Sequence, residues 1–69
     1  MTIADVLTAE RERQGLSLNE LSRRAGLSVG RVHSILTGAT PNPGVLTAAR
    51  VLAALGKTLG WLERELAKA

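Results

Sequence analysis

The sequence predicts an all-α fold: a compact domain of five short helices with no strand. Three observations predict it. Apolar residues recur at helical rather than alternating spacing. A hydroxyl or amide residue stands before each apolar segment, and a glycine closes four of them: Gly15, Gly26, Gly38 and Gly56. The chain is 45% hydrophobic but has a single aromatic residue, Trp61, so its core must be built from Leu, Val, Ile and Ala.

Each element has a local cause. Ile3, Val6 and Leu7 open helix 1, residues 3–14, behind a variant capping pair of Thr2 and Asp5; Gly15 ends it. Ser17-Leu18-Asn19-Glu20 is a capping box, so helix 2 runs from Leu18 to about Ala25 and stops at Gly26. Ser28 caps helix 3, Val29 to about Thr37, which Gly38 terminates. Residues Ala39 to Gly44 form a loop. Asn42 as N-cap and Pro43 as first helical residue are expected to open helix 4, with Val45, Ala48, Ala49, Leu52 and Leu55 as its buried stripe and Gly56 as its stop. Thr58 caps helix 5, Leu59 to about Lys68, with Leu59, Leu62 and Leu66 inward.

The 69 residues, 1–69, are expected to form one domain. That length is near the lower limit for folding on a hydrophobic core, since such a domain buries only roughly 60% of its unfolded surface. No cysteine is present, so neither a disulfide nor a thiolate metal site can help, and a reducing, cytoplasmic setting fits. Helical packing, alone or with a partner subunit, must supply the stability. Asp5 and Glu10 interrupt the N-terminus too early for a secretory segment. The longest stretch without Lys, Arg, Asp or Glu, residues 32–49, holds His33, Pro41, Asn42, Pro43 and glycines, so no membrane contact is expected.

The same inventory argues against an enzyme. His33 and Thr37 share a helix face, but no carboxylate lies near them in sequence, and Asp5 is the only aspartate. One histidine without cysteine gives no metal set, and residues 26–30 lack a phosphate-loop pattern, so no cofactor is expected. The net charge of +3, with a pI near 10.7, points instead toward nucleic acid.

Gly26-Leu27-Ser28 is too tight a connection for an antiparallel hairpin. It suits two helices crossing steeply, the helix-turn-helix unit, with Leu21, Ala25, Leu27, Val32, Ile35 and Leu36 locking the angle. On a wheel of about 100° per residue, Gly30, His33, Ser34 and Thr37 fall outward, flanked by Val29 and Arg31. This face is small, polar and free of acid, as an approaching phosphate backbone requires, and Arg23 and Arg24 stand at the end of the preceding helix. Each residue also has a plainer use. The two arginines favour the dipole at a helix C-terminus, Arg31 can pair with a surface acid, and His33, Ser34 and Thr37 can be ordinary surface. The joint pattern carries the argument.

The stretch LSLNELSRRAGLSVGRVHSILTG, followed by Pro43 and VLAALG, resembles the lambda-repressor and Cro-like (XRE) helix-turn-helix family. Arg11, Gly15-Leu16-Ser17, Glu20-Leu21, Gly26, Val32, Ile35, Gly38, Leu55-Gly56 and Trp61-Leu62 stand in the family's order, and the likeness covers roughly residues 5–62. It implies a lambda-repressor-like domain that binds double-stranded DNA as a homodimer on a palindromic site, with helix 3 in the major groove. Base edges would meet Val29, Gly30, His33 and Ser34. The DNA backbone would meet Asn19, Arg23, Arg24, Ser28, Arg31, Thr37, Thr40 and Asn42. Leu46, Leu59 and Trp61 are the candidates for a dimer interface, and Trp61 has the alternative of closing the small core.

Three departures from the family pattern stand out. Val29 and Gly30 replace the glutamines common at the start of helix 3, so neither can make a bidentate hydrogen bond to a purine, and either a modest affinity or a partly shape-driven one is expected. Leu36 replaces a glutamate that pairs with the helix 1 arginine, so Arg11 needs another partner or faces phosphate. Ser22 replaces an alanine and can bond back to its own helix. The expected function is a sequence-specific transcriptional regulator, a repressor of phage or prophage type. The alternative is a protein-interaction module on the same fold, such as the antitoxin of a toxin–antitoxin pair. A toxin or an anti-repressor is the kind of protein partner either reading admits.

Overall fold

Short polar side chains close the first turn of four of the five helices. In the computed structural model, which describes residues 1–68, the helices are α1 (Ile3–Gln14), α2 (Leu18–Ala25), α3 (Val29–Thr37), α4 (Val45–Ala54) and α5 (Leu59–Ala67), with no strand among the described residues. The Thr2 hydroxyl accepts the Asp5 N–H at 3.2 Å while the Asp5 carboxylate accepts the Thr2 N–H at 2.9 Å, a complete capping box. Ser28 and Thr58 accept the N–H groups of Arg31 and Trp61 at 3.2 and 3.1 Å. Ser17 accepts the Glu20 N–H at 3.1 Å, but the expected return bond is absent: the Glu20 carboxylate turns to Arg23 and Arg24 instead.

The start of α4 differs from expectation. Gly44, not Asn42, is the N-cap, and Pro43 lies outside the helix. A start at Pro43 would put Gly44 inside the first turn, where glycine costs about 1 kcal/mol relative to alanine. Starting at Val45 keeps the glycine at the boundary but leaves α4 without a side-chain cap. Its buried stripe is Ala48, Val51, Leu52 and Leu55. Val45, expected inward, lies about 70° from the centre of that stripe and is 69% exposed; Ala49 is half-buried. Leu46 lies nearly opposite the stripe and is 80% exposed. Leu59, also expected inward, sits in the first turn of α5 and is exposed, while Leu62 is buried and Leu66 partly so.

The core is aliphatic, as the composition demands. Val6, Leu7, Leu21, Val32, Ile35, Val51, Leu52, Leu55 and Leu62 form one buried cluster, with Leu27, Leu36 and Trp61 packed on its edge. α2 packs on α3 and α4, and α1 on α3 and α5. Three polar bonds tie helix 1 down. Thr8 donates its hydroxyl to the Leu36 carbonyl at 3.0 Å. Arg11, without its acid, donates Nη1 to the Leu16 carbonyl at 2.8 Å and closes the α1–α2 turn. Gln14 donates to the Leu55 carbonyl at 2.8 Å. Ser22 bonds back to the Leu18 carbonyl at 2.8 Å, as its position suggests.

The buried carboxylate of Glu10, 7% exposed, is held by Arg13, by Gln14 Nε2 at 2.7 Å and by Lys57 Nζ at 4.0 Å. Hydrogen bonding to Arg13 outweighs desolvation and lowers its pKa to about 2. Lys57 also lies 5.2 Å from the centre of the Trp61 ring, so the indole is part of the core's polar lid.

Candidate nucleic-acid interface

The α2–turn–α3 unit is built from its turn outward. Gly26 takes the left-handed conformation at φ 70°, which an L side chain adopts only with strain, and this lets the chain reverse after α2. The Leu27 N–H bonds the Ser22 carbonyl at 3.1 Å, and its side chain packs on the core edge. Ser28 then caps α3. Val32 and Ile35, 0% and 1% exposed, fix the rotation of α3 about its axis. Given that rotation, Val29, Gly30, Arg31, His33 and Thr37 face solvent. Ser34, expected fully outward, is half-buried. Its carbonyl accepts the Thr40 N–H at 3.0 Å and the Thr37 hydroxyl at 3.4 Å, so the chain beyond α3 folds back against this position.

That fold-back forms a cleft of about 370 Å³ between α3 and the start of α4. Arg31, Ser34, Thr40, Asn42 and Thr47 contribute its polar lining. Arg31 Nη2 donates to the Thr47 hydroxyl at 3.3 Å, which draws the guanidinium toward α4. The residues expected at phosphates therefore separate into three groups. Arg31, Thr40 and Asn42 gather at the cleft. Asn19, Arg23 and Arg24 are exposed on α2, where Arg24 Nε lies 3.0 Å from Glu20 and Arg23 pairs with the same carboxylate. Ser28 and Thr37 mark the two ends of α3.

Two residues were not anticipated. Thr47 is the partner of Arg31, and Arg50 lies beside the turn, its Nη1 3.9 Å from where a Cβ on Gly26 would be. The signal for both is present in VLTAARVLAA: they are its two polar residues, three apart and so on one side of an apolar helix. The three dimer candidates lie on two helices. Leu59 and Trp61 share the first turn of α5, with Trp61 partly buried. Leu46 is in the first turn of α4.

No group of three metal-ligating side chains occurs among the described residues, and no single helix there is long and apolar enough to cross a membrane. A family model described as helix-turn-helix matches residues 7–62, all but the two ends of the chain. No curated protein and no solved structure matches it.

Proposed function

Because the chain belongs to the XRE-type helix-turn-helix family of DNA-binding regulators, we propose that it is a sequence-specific transcriptional repressor of phage or prophage type. It acts in the cytoplasm as a single domain without cofactor and binds a palindromic operator as a homodimer. The observation that carries this reading is the acid-free outward face of α3, oriented by the burial of Val32 and Ile35. With α3 in the major groove, the Val29 methyls meet a thymine methyl and Gly30 permits close approach. His33 and Ser34 supply the polar readout. Asn19, Arg23, Arg24, Ser28, Arg31, Thr37, Thr40 and Asn42 meet phosphates and set the register. Leu46, Leu59 and Trp61 serve the dimer contact. Leu46 and the α5 pair then meet the partner at separate points.

A second reading is favoured by one observation: Val45 and Leu46, adjacent on α4, are 69% and 80% exposed beside an uncharged loop. Such a surface suits a protein partner, as in an antitoxin. Selection from a random-sequence duplex pool at near-physiological salt separates the two. Enrichment of an inverted repeat with half-sites one helical turn apart supports the repressor. Weak, salt-sensitive retention without enrichment supports the interaction module.

A further inference from the structure

Between Arg13 and Leu62 the sequence carries one acid, Glu20, against Arg13, Arg23, Arg24, Arg31, Arg50 and Lys57. A capping box would engage that acid with the backbone of its own helix. The bond to the backbone is not made. The carboxylate instead takes both neighbouring guanidiniums: Arg24 Nε is 3.0 Å from Oε1, and Arg23 Nη2 pairs with Oε2. The single negative charge of this region thus rests on the two arginines that end the helix before the recognition turn.

We propose that Glu20 is an internal competitor for DNA phosphate, which holds Arg23 and Arg24 in the free protein and so sets how tightly the domain grips any duplex. The inference rests on the DNA-binding reading and adds a control on it. A carboxylate and a phosphodiester ask for the same donors in the same planar geometry. The Glu20 side chain is 28% exposed and anchored low on α2, whereas those of Arg23 and Arg24 are 76% and 50% exposed. The cations are therefore the mobile partners. To turn the donor now on Glu20 to a phosphate, each must exchange one anion for another, and the repulsion between Glu20 and the incoming phosphate opposes the exchange. Arg31 and Arg50 have no acid beside them in sequence, so α2 is where this control acts.

The test is anisotropy titration of a 16-bp duplex of arbitrary sequence across a salt series. Glu20→Gln is expected to bind about threefold to tenfold tighter, the worth of two exposed ion pairs. Its log–log salt slope should steepen by up to about 0.9 for each arginine set free. Glu20→Ala should gain similarly; the Ser17 cap survives in both because it uses the backbone N–H of residue 20. Glu63→Gln, the same charge change on an exposed α5 position, is expected to gain less than about twofold by screened attraction alone. In an Arg23→Ala/Arg24→Ala background the gain from Glu20→Gln should vanish. If Glu20→Gln matches Glu63→Gln, or gains as much without the two arginines, competition is overturned and DNA binding stands. If no variant binds any duplex, both the competition and the DNA-binding reading are overturned.

Discussion

Neutralising Glu10 tests the polar lid that joins α1 to the α4–α5 turn. The carboxylate is 7% exposed and its pKa falls from 4.5 to about 2, chiefly through Arg13. A fall of that size corresponds at most to about 3 kcal/mol of stability. Arg13 is 64% exposed, however, and solvent screening of its charge reduces this to about 1–2 kcal/mol. The folded-state pKa is depressed, so the contribution is fully present above pH 4.5 and is lost as pH falls toward 2. Glu10→Gln keeps the shape and one acceptor but removes the charge. At pH 7 it is expected to lower the melting temperature by about 5–15 °C for a domain of this size. Between pH 5 and pH 2 the wild type should lose that advantage while the variant does not, so the two melting curves converge. Asp5, whose pKa is also lowered by its bonds to Thr2, titrates alike in both proteins and drops out of the difference. Thermal unfolding followed by circular dichroism at five pH values is sufficient. A gap between the proteins that stays the same at pH 7 and pH 2 would refute the electrostatic account and leave only packing.

Gly26→Ala should destabilise by about 1–2 kcal/mol in urea unfolding, because φ is 70° there; the nearest atom to the added Cβ is 3.9 Å away, so the cost is backbone strain and not a clash. Gly44→Asp should raise stability by a few tenths of a kcal/mol by capping α4, yet weaken duplex binding by placing a negative charge at the cleft; tighter binding would remove the cleft from the DNA face. Arg24→Ala should weaken binding to all duplexes alike and flatten the salt slope, whereas Ser34→Ala should change preference among operators by about 1–3 kcal/mol. If both variants bind every sequence as wild type does, α3 is not the reader.

What could be read from the sequence was what adjacent residues decide. Thr2, Ser17, Ser28 and Thr58 each sit three residues before the N–H they cap, so the four caps follow from spacing alone. Val32 and Ile35 were legible as the inward face of α3 for the same reason. The α4 start was not, because Asn42-Pro43 and Gly44-Val45 are both reasonable openings and only the glycine's cost separates them. The displaced start accompanies the shift of the stripe from Val45 to Val51. Glu20 had two local suitors, its own helix backbone and the arginines one turn on, and the motif names only the first. The Arg31–Thr47 bond joins residues sixteen apart and depends on how the loop folds, which no local pattern contains. Arg11 shows the limit of reading a missing partner. The absent acid at Leu36 is evident in sequence, but the turn to the Leu16 carbonyl, and the buried Nε left without a partner, require the packed structure.

The bond from the Thr8 hydroxyl to the Leu36 carbonyl has a mechanical consequence. It fastens the far end of α3 to α1, while the Leu27 turn fastens the near end and Val32 and Ile35 the middle. If α3 docks on DNA as proposed, this nine-residue rod held at three points has little freedom left to lose. The entropy of ordering the reading head has already been given up in folding. Any mismatch of shape must then be taken up by the duplex, whose bending and groove width vary with sequence. On the DNA-binding reading proposed above, a head this stiff, with Val29 and Gly30 at its tip, would select its site by which DNA yields to it.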